Sequence, residues 1–225
     1  MAKLYIVPSP IGNLEDITLR ALHILQEASI VLSEDTRVSK KLLSHYQIQK
    51  PCIPYHQFNE HKQLQHFIEL IQQHPSVALL SDAGTPGISD PGYLLIRACI
   101  QENIDIECLP GATAFVPALV LSGFPCDRFY FYGFLPHKKG RQSILARLAQ
   151  LKETFILYES PYRLLKTLEM LIEHCGKERK ISISREISKL HEETLRAPLS
   201  EALTYFQQHT IKGEFVLIVE GNNME

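Results

Sequence analysis

Val77-Ala78-Leu79-Leu80-Ser81-Asp82-Ala83-Gly84-Thr85-Pro86-Gly87-Ile88-Ser89-Asp90-Pro91-Gly92 is the stretch on which a reading of the fold turns. Its first five residues, four of them apolar, have the length of a buried strand. The run opens into a loop carrying three glycines and two prolines. Such a loop fixes one backbone path, and Gly84 and Gly87 would let a ligand approach the main chain closely. Asp90-Pro91 then offers a capping side chain followed by proline at a first helical position, so a helix is expected next. Asp90 reads mainly as that cap. Asp82, at the strand tip, could accept hydrogen bonds from an amine or a ribose hydroxyl. The glycine spacing matches neither the Walker phosphate loop nor the dinucleotide fingerprint.

The same alternation runs outward in both directions. Strands are expected at Leu4 to Val7, Ile30 to Ser33, Ile106 to Leu109, Phe129 to Tyr132, Thr154 to Tyr158, Ile181 to Ser184 and Phe215 to Val219. Helical spacing of apolar residues appears in Leu64, Phe67, Ile68 and Ile71, in Leu164, Leu165, Leu168, Leu171 and Ile172, and in Leu199, Ala202, Leu203 and Phe206. Ser160-Pro161 repeats the cap-and-proline signature, and Gly123 is suited to end, in the left-handed conformation, a helix that begins near Ala112. Alternating strand and helix predicts an α/β fold with largely parallel sheets. The segment Leu109-Pro110-Gly111-Ala112-Thr113 follows a strand near mid-chain, which predicts two sub-domains, 1–111 and 112–225.

The chain has 225 residues, of which 45% are hydrophobic and 21% charged, enough to bury a substantial core. A net charge of -2 makes the whole molecule a poor electrostatic magnet for nucleic acid, so RNA binding would need local patches. The five cysteines, at 52, 99, 108, 126 and 175, form no C-x-x-C pair. Together with an N-terminus that runs straight into a strand pattern, they predict reduced thiols and a cytoplasmic location. No apolar run approaches membrane-spanning length. The histidines show no metal-ligand spacing, so no metal is expected.

Glycine and proline gather at the carboxyl ends of the expected strands, the edge where open α/β sheets bind ligands. Besides Ser81 to Gly92 there are Val7 to Asp16, a candidate cleft wall, and Leu109 to Ala114, which enters a helix of small residues suited to a carboxylate or a closely packed cofactor. Basic residues cluster at Arg37, Lys40 and Lys41, and at His137, Lys138, Lys139 and Arg141. Arg163, Arg185 and Lys189 could extend a stripe. A charge run is more often a solvated face than a binding patch. The aromatic residues Phe129, Tyr130, Phe131, Tyr132 and Phe134 are expected mostly in strand core, with one or two available to stack a base.

These motifs resemble those of the tetrapyrrole-methylase-like, class III methyltransferases, and more narrowly the bacterial ribosomal RNA small subunit methyltransferase I family. The matching stretches are Leu4 to Thr18, Ser33 to Arg37, Ser81 to Gly92, Leu109 to Ala114, Tyr158 to Arg163 and Ser184 to Glu193, in order along nearly the whole chain. The resemblance implies two α/β/α sub-domains with mixed, largely parallel sheets and a cleft between them for S-adenosylmethionine, in a homodimer without a metal. The N-terminal sub-domain would carry an RNA side and cofactor loops, the C-terminal one cofactor and dimer contacts. Carried onto this chain, the cofactor pocket would use Pro8, Asp82, Gly84, Thr85, Ala112, Thr113, Leu157 and Tyr158. The implied reaction is 2′-O-methylation of a cytidine ribose in 16S rRNA of the small ribosomal subunit. Longer relatives carry a further C-terminal helical segment, which bears on RNA contacts and not on the cofactor loops.

Candidates for RNA contact are Arg37, Lys40, Lys41, Lys138, Lys139, Arg141, Arg163, Arg185 and Lys189. Candidates for a general base are Asp35, Glu159 and Glu186, each near a strand end or helix start. The structural alternative is that Asp35 caps the helix starting near Arg37, while Glu159 and Glu186 pair with Arg163 and Arg185. Two rival functions are methylation of a tetrapyrrole carbon and nucleotide binding without catalysis. The Pro8-Ser9-Pro10-Ile11-Gly12-Asn13-Leu14 loop, standing where the tetrapyrrole branch carries G-x-G-x-G-D, argues against the first.

Overall fold

Strands of a parallel sheet are buried on both faces and read as continuous apolar runs. The N-terminal runs pair that way in the computed structural model, which describes residues 2–222. The chain divides into two compact units, Met1–Thr113 and Ala114–Glu225.

In the first unit the elements follow as β1 (Lys3–Val7), α1 (Leu19–Glu27), β2 (Ile30–Ser33), α2 (Thr36–His45), β3 (Cys52–Pro54), α3 (Leu64–Gln72), β4 (Ser76–Leu80), α4 (Tyr93–Gln101) and β5 (Asp105–Cys108). The strands form one sheet in the order β3-β2-β4-β1-β5, with every pairing parallel. Side chains alternate across it, as a strand's period of two requires. Leu4, Ile6, Leu32, Val77 and Leu79 pack with Phe67, Ile71, Leu95 and Cys99 of α3 and α4. Val7, Val31, Ala78 and Leu80 pack with Ala21 and Leu25 of α1 and with Leu43 of α2. The unit is thus three layers, helices on both faces of the sheet.

This order decides where a ligand can go. β1 and β4 are neighbours, yet the chain leaves β1 toward β2 and leaves β4 toward β5, on opposite sides. Right-handed crossovers then put the following helices on opposite faces, so the loops after β1 and β4 cross and meet at the carboxyl edge of the sheet. Those loops are Pro8 to Asp16 and Ser81 to Gly92.

The second unit contains α5 (Phe115–Ser122), β6 (Phe129–Phe134), α6 (Arg141–Ala149), β7 (Thr154–Glu159), α7 (Leu164–Cys175), β8 (Lys180–Arg185), β9 (Glu193–Pro198), α8 (Leu199–Gln208) and β10 (Phe215–Val219). Its sheet, β6-β7-β10-β8-β9, is mixed: β6 and β7 are parallel and the other neighbours antiparallel. Phe155, Leu157, Ile181, Ile183, Phe215 and Leu217 meet α6, α7 and α8 on one face. α5 lies against β8 and β10.

Several expectations change at the element ends and sheet edges. Helix α4 begins after Gly92, which sits at φ 145 and close enough to Gly87 that an added Cβ would lie 3.1 Å from its nitrogen. Gly87 N–H donates to Pro91 O, so Asp90-Pro91 closes a turn and is not the N-cap pair. Ser160-Pro161 likewise forms a turn, with Arg163 N–H donating to Ser160 O, and α7 starts at Leu164. Gly123 does end α5 in the left-handed conformation, at φ 72. The edge strands β3 and β9 were not expected. The aromatic strand β6 is also an edge, so Phe129, Tyr130 and Phe134 are 43%, 40% and 52% exposed and not core.

Candidate active site

Three loops of the first unit meet at the carboxyl edge of its sheet, and short polar contacts hold them in register. Ser9 and Gly84 exchange two main-chain hydrogen bonds, Ser9 N–H to Gly84 O at 2.9 Å and Gly84 N–H to Ser9 O at 3.0 Å. Ser9 Oγ donates to Ser81 O, and Ser81 Oγ donates to Gly84 O, both at 3.0 Å. Thr85 Oγ1 donates to Ala112 O at 3.1 Å, which ties in the third loop. Gly84 takes φ 83, a conformation that side chains other than glycine's resist. Pro8, Gly84, Thr85, Ala112 and Thr113 therefore stand together on one backbone frame.

Asp82 leans the other way, toward β2. Its Oδ1 accepts the Asp35 N–H at 3.0 Å. Burial pushes its carboxyl above the usual range, and the neighbouring Asp35 charge adds to this. Glu34, half-buried beside it, is raised by burial first and then by the charge of Asp82, with the Asp82 main-chain N–H acting in the opposite sense. Glu34 escapes notice in the sequence because the Ser33-to-Arg37 stretch has one obvious capping residue, Asp35. Its place one residue past the end of a buried strand is the available signal.

Asp35 is that cap. Its side chain accepts from Arg37 N–H at 2.8 Å and holds the Arg37 guanidinium at 2.6 Å. Arg37 thereby lowers its carboxyl to about 2. A carboxylate that acidic is a weak proton acceptor.

In the second unit Glu159 is only 1% exposed, facing α6 and α7. Its carboxylate accepts from Arg163 Nε at 2.8 Å and from Thr167 Oγ1 at 2.6 Å, and lies 3.6 Å from Arg141. Arg141 is 4% exposed and donates to Thr167 Oγ1 at 2.5 Å, while Arg163 also donates to Leu135 O at 3.0 Å. Both arginines, read in the sequence as RNA contacts, are committed inside the unit. Arg141 misleads in the sequence because it closely follows two exposed lysines, yet it opens α6 on the helix face turned to the core.

Glu186 pairs with Lys189 at 2.9 Å and not with Arg185, which holds Glu193 at 2.6 Å. Its backbone sits at φ 52, and its carboxyl is lowered overall, burial being more than offset by Lys189 and the Glu214 N–H. Leu157 is fully buried between neighbouring strands. Tyr158, on the opposite sheet face, lies 5.3 Å from the Phe131 ring and 5.5 Å from that of Phe134. Lys40, Lys41, Lys138 and Lys139 are exposed.

Two polar groups of these loops stand out: the half-buried carboxylate of Asp82, turned toward Asp35, and Thr113 Oγ1, a buried hydroxyl without a hydrogen-bond partner. Among the described residues no cluster of three or more His, Cys, Asp or Glu could hold a metal ion. No helix among them is long and apolar enough to cross a membrane.

Residues 3–203 match the sequence profile of the Tetrapyrrole (Corrin/Porphyrin) Methylases. A relative from Synechocystis named ribosomal RNA small subunit methyltransferase I is 48% identical, over 100% of this chain and 81% of its own length. This chain belongs to that family. The Thermotoga maritima member is 42% identical across 98% of this chain and 99% of its own. Solved structures repeat the fold at low identity. Diphthine synthase superposes with a TM-score of 0.78 at 13% identity, covering 100% of this chain and 92% of that one. A Thermus thermophilus uroporphyrin-III C-methyltransferase complexed with S-adenyl homocysteine gives 0.68 at 19%, covering 96% of each chain. The methyltransferase I family and these enzymes thus share one architecture.

Proposed function

We propose that this chain transfers a methyl group from S-adenosylmethionine to the ribose 2′-hydroxyl of a cytidine in 16S rRNA of the small ribosomal subunit. It would do so in the cytoplasm, as a homodimer. The observation that carries this reading is the match of 98 to 100% of this chain to relatives named ribosomal RNA small subunit methyltransferase I. The loop frame of the first unit supports it, because it gathers Pro8, Gly84, Thr85, Ala112 and Thr113, which the resemblance assigns to the cofactor, at one sheet edge.

When bound, the cofactor supplies an electrophilic methyl on a sulfonium. Pro8, Gly84, Thr85, Ala112 and Thr113 fix the position of the ligand through a backbone that Ser9 and Gly84 already hold in register, and Asp82 supplies the counter-charge. Leu157 and Tyr158 of the second unit remain part of this proposal. Holding the two reactants in line can supply on the order of 7 to 11 kcal/mol of the barrier. Asp35, Glu159 and Glu186, the candidate bases, are each engaged with a cation, so positioning carries more of the rate than any of the three. Lys40, Lys41, Lys138 and Lys139 are free to meet phosphates, joined by Arg37, Arg185 and Lys189 at the edges of their ion pairs.

The test is transfer of labelled methyl to small ribosomal subunits from cells lacking this protein, with free 16S rRNA and a precorrin-type ring alongside. Label in a ribose of the 16S strand is expected. Label in the ring alone, with cofactor binding intact, would overturn the RNA reading.

A further inference from the structure

A cleft of about 340 Å³ opens in the first unit between the start of α2 and the loop after β3, lined by Glu34, Asp35, Arg37, His56, Gln57 and Phe58 among others. Its size falls within the range of small-molecule sites, roughly 300 to 1,000 Å³. The loop has a firm base. Tyr55 is 1% exposed, stacks edge-on with Phe67 and donates to Glu60, and Asn59 closes the turn by accepting His56 N–H and donating to Pro54 O. On that base the chain exposes Phe58 by 78%, a large apolar surface whose ring neighbour is His56 at 5.9 Å. His56 Nδ1 is buried with no hydrogen-bond partner. At the inner wall, Asp35 N–H reaches Asp82 on the cofactor loop, so cleft and loop share a boundary.

We propose that this cleft takes the acceptor nucleotide of the RNA, with its base stacked on Phe58 beside His56, its phosphate toward Arg37 and its ribose hydroxyl at Glu34. The inference rests on the RNA reading above. An exposed aromatic ring lining the same cleft as a cation is the chemistry that holds an unstacked base on its phosphate backbone. Glu34 is the acidic residue of the cleft not tied to an arginine, and its raised carboxyl makes it a better proton acceptor than Asp35. As the hydroxyl oxygen bonds to the methyl carbon and the carbon–sulfur pair leaves with sulfur, the hydroxyl proton passes to the Glu34 carboxylate. Burial and then Asp82 raise its carboxyl, and His56 and Asp35 are the other titratable groups beside it.

The test compares the unaltered chain with Phe58→Ala, Phe58→Trp and Glu34→Gln, on small ribosomal subunits lacking the modification. Cofactor affinity is measured separately by calorimetry and RNA affinity by filter binding. Loss of one stacked base at about 1 to 3 kcal/mol predicts a KM roughly 5- to 150-fold higher for Phe58→Ala, with recovery in Phe58→Trp and unchanged cofactor affinity. Glu34→Gln should lower kcat about 100-fold and flatten the acid limb of its pH profile. If the unaltered chain binds cofactor but methylates no RNA, the functional reading itself fails. If it methylates RNA and the Phe58 and Glu34 variants match it, the acceptor-cleft inference alone is overturned. That inference is equally overturned if Phe58→Ala weakens cofactor binding as much as RNA binding.

Discussion

Gly111 lies so close over the Pro8 ring that a Cβ on it would stand 2.5 Å from Pro8 Cβ and 2.8 Å from Pro8 Cγ. Proline cannot rotate out of the way, so the third loop can cross the first only through a residue with no side chain. Gly111→Ala should therefore force the loops apart. Overpacking of this kind costs about 1 to 3 kcal/mol. The expected result is a lower urea midpoint together with a cofactor affinity reduced tenfold or more. Gly176→Ala is the control, since an added Cβ there meets nothing within 4 Å although its φ of 85 strains the backbone. It should lose stability and keep cofactor affinity. Equal affinity in both variants would mean that the Pro8 crossing has no part in ligand binding.

Glu159 anchors the second unit. Replacing it by Gln leaves Arg141 and Arg163 without their shared negative charge in a site where Glu159 is 1% and Arg141 4% exposed. Breaking a buried ion network by removing one partner costs on the order of 3 to 5 kcal/mol. Glu159→Gln should unfold in urea at a clearly lower midpoint, with any fall in turnover tracking the unfolded fraction. A fall in kcat at full foldedness would restore Glu159 as a candidate base.

Most of the fold was legible because burial on two faces leaves continuous apolar runs, as in Ile30 to Ser33 and Phe215 to Val219. What escaped were the edges. β3 contains Pro54 and only three residues, and β9, Glu-Thr-Leu-Arg-Ala-Pro, mixes polar and apolar residues with no continuous apolar run, as an edge strand can. Loop chemistry was half legible. The glycines and prolines marked the right segments, but the cap-and-proline signature pointed to the wrong first residue twice, because Gly92 and Pro161 turn the chain before the helix begins. Charge was the least legible. Nothing local distinguishes Arg141 from Lys139, since only the orientation of α6 decides which of them meets Glu159.

Acid should reveal the Asp35 cap. The Asp35 carboxyl is lowered from 3.8 to about 2 in the folded chain, chiefly by the Arg37 side chain. A depressed carboxyl contributes stability above its unfolded value, and that contribution is lost as pH falls through the folded one. The stability gap between the unaltered chain and Asp35→Asn should hold steady above about pH 5 and close between about pH 4 and pH 2. Urea midpoints across that range, at constant salt, measure it. A gap that persists unchanged at pH 2 would show that the cap works without its charge.

Salt should separate the two readings of the basic stretch before α6. Lys138 and Lys139 are exposed, whereas Arg141 is buried on Glu159 and Thr167. Each phosphate contact releases bound counterions, so removing one lowers the slope of log affinity against log salt by about 0.7 to 0.9. The double variant Lys138→Gln, Lys139→Gln should lose roughly 1.5 from that slope on small ribosomal subunits and keep its thermal midpoint. Arg141→Met should do the reverse, with the midpoint lowered by several degrees and the slope unchanged in the folded fraction. If the double variant retained the full slope, the lysines would be a solvated face and the RNA surface would have to be sought at Lys40 and Lys41. Both of those are exposed on α2, whose N-terminus lines the cleft that holds Glu34.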